Sequence, residues 1–147
     1  MKHFFSFLIM QLFVLTITAQ YVDLGLPSGT KWKIADEIEC YTYNEAIKFG
    51  SALPTMDQWN ELYDNCDWEW IGTAYKIVGP NGNSIELPVS ACDVSGKGSG
   101  FNVAGSYWSS NVGESGNAHC FGFSPGAVLR YSVQSSVSQS VRLVQSK

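Results

Sequence analysis

The chain begins with one long hydrophobic stretch and then changes to short alternating patterns. Phe4 to Leu15 is almost unbroken hydrophobe, with a basic start before it and a more polar segment, 16–20, after it. This order is typical of a secretory signal peptide, and cleavage is expected after Ala19. A membrane-spanning helix fits less well, because it needs roughly 20 apolar residues and this stretch is shorter and interrupted by Gln11.

We therefore predict a signal peptide at 1–19 and a single domain at 20–147, which is an ordinary size for one domain. The product is expected to be secreted or held at the cell surface, without membrane insertion after cleavage. The formal net charge of −4 comes from 9 basic and 13 acidic residues, and the basic residues form no cluster that could follow a phosphate backbone. A nucleic acid is therefore not an expected partner.

The segment 55–66 carries the clearest helical pattern. Thr55 and Gln58 form a capping-box pair, and Asp57 favours the positive end of the helix dipole. Apolar residues recur at helical spacing and predict one buried stripe: Met56, Trp59, Leu62, Tyr63 and Cys66. A weaker helical stretch, 43–49, precedes it.

Alternating positions and turn residues predict short strands in the rest of the domain. Thr30, Trp32 and Ile34 alternate with lysines, as in a half-buried strand. Asn81-Gly82 is a strong hairpin signal between two hydrophobic segments. The expected strands are 30–34, 75–78, 84–87, 106–110, 118–123, 128–133 and 141–144.

These elements predict an α+β fold, with one or two helices packed on a twisted antiparallel sheet and long irregular loops. The segment 91–105 is rich in Gly and Ser, so we expect a long loop there, pinned by Val94, Phe101 and Val103. Trp59 and Trp108 are expected in the core. Trp68 and Trp70 share one face of an extended segment, and the core is favoured for them over an exposed contact with a sugar or a partner.

Four cysteines lie in the predicted domain: Cys40, Cys66, Cys92 and Cys120. Export to an oxidising compartment would permit disulfides. Four cysteines allow three full pairings, and free thiols packed as small hydrophobes are an equally open alternative.

The side chains that could carry catalysis are few. His119 is the one histidine outside the predicted signal peptide, and Cys120 beside it points to the opposite face of a strand. The cysteines lack the close spacing of a zinc site. Acidic residues cluster at 36–39 and 64–69, but a linear cluster does not establish two facing carboxyl groups. We expect no enzyme activity, no metal and no cofactor.

Several segments together resemble a known family. They are residues 22–32 (VDLGLPSGTKW), the segment from Leu53-Pro54-Thr55 to Leu62, residues 105–110 (GSYWSS) and residues 140–144 (SVRLV). In this order they resemble the Fibrobacter succinogenes major paralogous domain, a family abundant in secreted proteins of gut Bacteroidetes. The resemblance implies a C-type-lectin-like fold of the kind shared with formylglycine-generating enzymes. The chain departs from the family by being short between Ala35 and Leu53.

The resemblance also bears on chemistry. Calcium-dependent lectins of this fold carry a Glu-Pro-Asn or Gln-Pro-Asp loop and a Trp-Asn-Asp strand, whereas this chain has Trp108-Ser109-Ser110-Asn111 with no acidic oxygen for a hard cation. The formylglycine-generating relatives depend on two late cysteines, and only Cys120 lies in that region.

Some relatives of this fold are variable proteins of diversity-generating retroelements, in which a fixed framework carries exposed positions that vary. Residues 107–142 are compatible with such a cassette. The framework would be Tyr107, Trp108, Ala118, Phe121, Phe123, Gly126, Val128 and Arg142. The tolerant positions would be Cys120, Gly122, Ser124, Leu129, Tyr131 and Gln134. Simple drift on a solvated, Ser-rich sheet is the favoured alternative.

We predict an exported, non-enzymatic ligand-binding module that takes a surface glycan or a protein through its C-terminal β segments. Phe121 and Phe123 share one parity of their strand, so that face should be buried and the other left open. The predicted contact residues are Asn111, Cys120, Gly122, Ser124, Leu129, Tyr131 and Gln134. For Tyr131 the alternative is packing under the final strand. An enzyme on a formylglycine-generating scaffold and a structural piece of a surface assembly are the rival functions.

Overall fold

A computed structural model describes residues 20–90, 92 and 104–147. The predicted signal peptide, 1–19, and the expected loop anchors Val94, Phe101 and Val103 lie outside the described residues. The described strands are β1 (Tyr21–Asp23), β2 (Lys31–Lys33), β3 (Asp67–Trp70), β4 (Ala74–Val78), β5 (Ser84–Pro88), β6 (Gly105–Val112), β7 (Asn117–Ser124), β8 (Ala127–Gln134) and β9 (Val144–Gln145).

The described strands form three antiparallel sheets, ordered β1-β2-β9, β3-β4-β5 and β6-β7-β8, together with two short helices. The α+β prediction is confirmed, whereas the prediction of one twisted sheet is wrong. The strands are short and are separated by turns and by the two helices, so most of them pair with strands that are close in sequence. The exception is β9, which pairs with β2 and so joins the two ends of the domain. Across residues 20–90 and 104–147, no helix is long and apolar enough to cross a bilayer.

The helices lie between β2 and β3. The first, α1 (Tyr43–Ala46), continues as a 3₁₀ segment, Ile47–Ala52, and the second is α2 (Met56–Asn65). The capping box of α2 is confirmed: the Gln58 N–H donates to Thr55 Oγ1 at 3.1 Å, and the Thr55 N–H donates to Gln58 Oε1 at 2.9 Å. These two bonds satisfy the backbone N–H groups of Thr55 and Gln58, and they fix where α2 begins.

The buried stripe of α2 is narrower than its spacing predicts. Trp59 and Leu62 are fully buried, and Met56 and Cys66 are partly buried. Tyr63 is 39% exposed, so its assignment to the stripe is wrong. Tyr63 lies at the margin of the helical face, where a tyrosine can keep one end in water.

The β4–β5 hairpin forms as Asn81-Gly82 predicts, and β3 adds a third strand beside β4. Ile77 pairs with Ile85, and Gly82 takes a positive φ of 87° in the turn. Trp68 and Trp70 on β3 share the face that packs on the core, and both are half-buried.

The sheet β6-β7-β8 lies between two hydrophobic clusters. On one face, Tyr107, Phe121 and Phe123 pack with Trp59 of α2. On the other face, Trp108, Ala118 and Cys120 pack with side chains of α1 and the 3₁₀ segment. Because β7 is the central strand and is covered on both faces, both parities of its side chains are buried.

The C-terminal segment is held by side chains as much as by strand pairing. The expected strand 141–144 is reduced to β9, preceded by isolated bridges from Gln139 to Tyr41 and from Ser140 to Tyr107. The Arg142 guanidinium is buried and donates to Asp36 Oδ1 at 2.6 Å and to the Glu86 carbonyl at 2.6 Å.

The cysteines divide between the two alternatives left open by the sequence. Cys40 and Cys92 form a disulfide with a Cα–Cα distance of 5.7 Å, while Cys66 and Cys120 keep free thiols. Burial raises the pKa of Cys66 to about 11 and that of Cys120 to about 12. Both thiols are therefore protonated at neutral pH and are poor nucleophiles.

Candidate ligand-binding surface

The predicted contact residues do not form one exposed surface. Asn111 is exposed, but its Oδ1 accepts a hydrogen bond from the Met56 N–H at 2.8 Å and so helps to hold the first turn of α2. Ser124 lies beside the turn between β7 and β8, Leu129 pairs with Gly122 within the sheet, and both are half-buried. Gln134 is exposed at the far end of β8.

Gln134 lines an open polar cleft of about 530 Å³. The other lining residues carry hydroxyl, amide or backbone groups: Thr42, Asn44, Ser115, Gly116, Ser135 and Ser136. The side chains of this cleft bring no charge and no aromatic ring. The cleft offers a ligand shape and hydrogen bonds, and its lining residues include none of the hydrophobic and aromatic side chains that dominate a usual small-molecule pocket.

Two of the predicted contact residues lie in the core, which corrects the exposure expected for them. Cys120 is fully buried, and Gly122 is also buried. A Cβ atom at Gly122 would lie 2.6 Å from Tyr131 Cε1. Alternation alone suggested that the face carrying Cys120 and Gly122 was open. In the structure, the hydrophobic cluster that contains Trp108 and Cys120 covers this face, and the small residues make room for its packed side chains.

Tyr131 belongs to the same packed face. Its ring is half-buried against the second cluster, and its hydroxyl donates to Ser106 Oγ at 2.5 Å. Burial raises the pKa of Tyr131 to about 12. The packing alternative is therefore the one that the structure supports for this side chain.

The other parity of β8 carries the most distinctive exposed contact. The Arg130 guanidinium lies 5.0 Å from the centre of the Tyr63 ring and 5.5 Å from that of Phe121. Arg130 Nε donates to Asn60 Oδ1 at 2.5 Å. A guanidinium at this distance from an aromatic face gains electrostatic attraction while its other N–H groups stay available.

The tryptophans of β3 extend this contact. Trp68 lies 5.5 Å from Tyr63 and 5.8 Å from Phe121 between ring centres, and its Nε1–H donates to the Leu62 carbonyl at 3.2 Å. We define the Tyr63–Arg130 surface as these half-buried or exposed side chains of α2, β3 and β8: Asn60, Tyr63, Trp68, Trp70, Val128 and Arg130.

Two titratable groups away from this surface, His119 and Asp36, have hydrogen-bond partners within the fold. His119 Nδ1 lies 2.9 Å from Ser132 Oγ across two strands. A nucleophile–base pair acts with a third group that orients the base, and no described residue supplies a carboxylate bonded to His119. Burial raises the pKa of Asp36, opposed by Arg142 and the Tyr107 hydroxyl, which both bond to it. In the described part of the chain, no three His, Cys, Asp or Glu side chains converge as metal ligands.

Sequence reasoning missed Asn60, Tyr63 and Arg130. The signal for Arg130 was present: a charged residue in a strand rarely faces a core without a partner, so Arg130 marks where the face of β8 that packs beside Phe121 reaches the surface. Tyr63 shares helical spacing with true core residues, and spacing alone does not separate the centre of a stripe from its margin. Comparison with models of protein families, with curated proteins and with solved structures gives no match.

Proposed function

We propose that the chain is an exported, non-enzymatic binding module whose Tyr63–Arg130 surface contacts a protein ligand. The observation that carries the proposal is the exposed stack of Arg130 on Tyr63, fixed in place by Asn60. Tyr, Trp and Arg are the side chains that dominate binding energy at protein interfaces. Here they are held in position before binding, which reduces the entropy lost on association.

A protein is favoured over a glycan because the aromatic faces are already occupied. Sugars stack on open ring faces, whereas one face of Tyr63 is covered by Arg130, and Trp68 is surrounded by Tyr63, Tyr75 and Phe121. Arg130 is exposed and offers guanidinium N–H groups to a ligand. Carbonyl and carboxylate oxygens of a polypeptide are suitable acceptors for those groups.

Export is supported by two independent features. The hydrophobic N-terminal stretch has the order of a signal peptide, and the Cys40–Cys92 disulfide is of the kind that persists in an oxidising compartment. We expect the product recovered outside the cytoplasm to have an intact mass that begins at Gln20 and includes one disulfide. A product that still begins at Met1 would contradict the proposed cleavage.

The finer fold assignment, a C-type-lectin-like domain of the paralogous family, is also a proposal. It is supported by the way the resembling segments contact one another. Trp32 lies 4.6 Å from Trp59 between ring centres, Trp59 Nε1–H donates to the Trp108 carbonyl at 3.4 Å, and the Trp108 N–H donates to the Ser140 carbonyl at 3.1 Å. These residues build the core, so the resemblance bears on the fold more strongly than on the ligand.

The binding proposal predicts the effect of two substitutions. Once a protein ligand has been isolated from the surface of the producing cell, Arg130→Ala and Tyr63→Ala should each weaken its binding at least about tenfold, about 1.4 kcal/mol. Truncation removes contact area and a charge-assisted donor without opening the core, since both side chains are at the surface. Titration calorimetry on folded variants measures the effect.

Val112→Ala is the matched control, because Val112 is 71% exposed and lies outside the Tyr63–Arg130 surface. It should bind normally. If Arg130→Ala and Tyr63→Ala also bind normally while Gln134→Ala loses affinity, the polar cleft is the site and the assignment above is wrong. The wild-type chain could instead bind a glycan on an array, with binding lost in Tyr63→Ala. That result would support the Tyr63–Arg130 surface as the site but would show that the ligand is a glycan.

A further inference from the structure

The strand β8 has one unpaired edge in the described structure. It is the outer strand of β6-β7-β8 and pairs with β7 without interruption from Asn117↔Gln134 to Ser124↔Ala127. Ser124 and Ala127 close a two-residue turn, which makes them a hydrogen-bonded pair. In an antiparallel ladder the alternate residues Leu129, Tyr131 and Val133 then also direct their N–H and C=O groups to β7.

Two hydrogen bonds outside the ladder fix the same parity. The Ala104 N–H donates to the Phe123 carbonyl at 2.7 Å, so the backbone groups of Phe123 point toward β6 and those of its neighbours toward β8. At the C-terminal end of β8, the N–H of the next residue, Ser135, donates to the Gly116 carbonyl at 3.0 Å. Ser135 shares the parity of Leu129, Tyr131 and Val133, so this bond agrees with their pointing toward β7. The outward backbone groups therefore belong to Val128, Arg130, Ser132 and Gln134.

Among the described residues, no hydrogen bond reaches the backbone N–H or C=O groups of Val128, Arg130 or Ser132. Natural proteins guard such edges with proline, bulges or charges that project over the edge. β8 contains no proline and pairs with β7 without a bulge, and its one charge, Arg130, is drawn onto Tyr63 and Asn60. In the described part of the chain the edge is therefore open from Val128 to Ser132, while the Gln134 carbonyl already accepts a hydrogen bond from the Val137 N–H at 3.0 Å.

We propose that two copies of this chain associate through β8, antiparallel and related by a two-fold axis, so that two three-stranded sheets become one six-stranded sheet. Outward-facing residues must pair with outward-facing residues. One register that satisfies this rule centres on Tyr131. Arg130 then pairs with the partner's Ser132, and Val128 pairs with the partner's Gln134.

Charge selects this register. The eight-residue strand has two symmetric registers that overlap over seven residues and obey the pairing rule. The one centred on Arg130 sets that residue directly opposite the partner's Arg130, and like charges directly opposite one another are destabilising. The register centred on Tyr131 opposes Arg130 to a neutral hydroxyl.

The two helices lie on the faces of this sheet. Helix α2 contacts β6 and β7 and reaches β8 through Asn60 and Tyr63, which lie against Arg130, and α1 contacts β6. A two-fold axis perpendicular to the sheet would place both Tyr63–Arg130 surfaces on the same side of the joined sheet. The dimer would then present two binding surfaces to one target, which raises the apparent affinity for a multivalent ligand.

The test combines sedimentation with residue-resolved amide exchange on the purified chain, in a Cys66→Ser background that removes adventitious cross-linking through the half-buried thiol. We expect a reversible monomer–dimer equilibrium. The amides of Val128, Arg130 and Ser132 should become protected as protein concentration rises, while those of Leu129, Tyr131 and Val133 should be protected at every concentration.

Ser132→Pro is the diagnostic variant, because proline removes an outward N–H and leaves the ladder with β7 intact. Because the two-fold axis relates the two copies, the dimer loses this hydrogen bond twice. The dissociation constant of the dimer should therefore rise about tenfold or more, whereas the control Ser132→Ala should dimerise normally. If Ser132→Pro fails to fold, the exchange pattern of the wild type alone decides. A monomer at all concentrations, or a dimer in which the amides of 128, 130 and 132 exchange freely, overturns the proposal. Protection of these amides in the monomer also overturns it.

Discussion

Replacing Trp59 with alanine is expected to lower the free energy of unfolding by about 3–5 kcal/mol, a large part of the stability of a domain of this size. Trp59 is fully buried and stacks on Phe121 with a ring-centre distance of 4.8 Å. It also contacts Trp32 and Tyr107, so its loss opens a cavity between α2 and two sheets. Denaturant unfolding followed by circular dichroism measures the change.

Asp64→Ala, on the exposed side of the same helix, is the control and should change stability by less than about 0.5 kcal/mol. Trp59→Phe should fall between the two, because it keeps a ring against Phe121 but loses the donor to the Trp108 carbonyl. Near-normal stability of Trp59→Ala would mean that α2 does not pack on the core through this face.

The second large effect is expected at Arg142. Its guanidinium is 1% exposed and bonds to the Asp36 carboxylate and to the carbonyls of Lys33, Ile34 and Glu86. Arg142→Met should cost about 3–5 kcal/mol, because it leaves a partly buried carboxylate and several carbonyls without their donor. Thermal and denaturant unfolding would report the loss.

A double-mutant cycle separates the charge from the carbonyl bonds. Asp36→Asn removes the carboxylate charge. It should lower the free energy of unfolding less in the Arg142→Met background than in the wild type, and the difference, the coupling energy, should be at least about 1 kcal/mol. Lys76→Met, which removes an exposed lysine from β4, is the control and should be nearly neutral. If the two substitutions change the free energy of unfolding additively, the ion pair between Asp36 and Arg142 does not contribute to stability.

The elements that could be predicted from the sequence are those with local causes. The start of α2 follows from Thr55 and Gln58, three residues apart, and the β4–β5 hairpin follows from Asn81-Gly82. Such signals act through neighbouring backbone groups, so they hold whatever the rest of the chain does. The core positions of Trp59 and Trp108 were also predictable, since large apolar rings are seldom left in water.

The remaining features depend on contacts distant in sequence. Alternation in β7 separates two faces but does not say whether each meets water, and here α2 covers one face while α1 and the C-terminal segment cover the other. Cys40 and Cys92 are separated by 52 residues, so their pairing needs the fold to be known. The candidate surface unites α2, β3 and β8, and no local pattern indicates that Asn60 and Arg130 meet.

Site-specific photo-cross-linking on the cell surface tests the binding claim most directly. A benzophenone side chain would replace Tyr63 in one variant and Ile38, which is 99% exposed in the loop between β2 and α1, in the other. We expect one discrete cross-linked protein from position 63, lost on Arg130→Ala, and none from position 38. Equal cross-linking at both positions, or a discrete partner at position 38 alone, would contradict it.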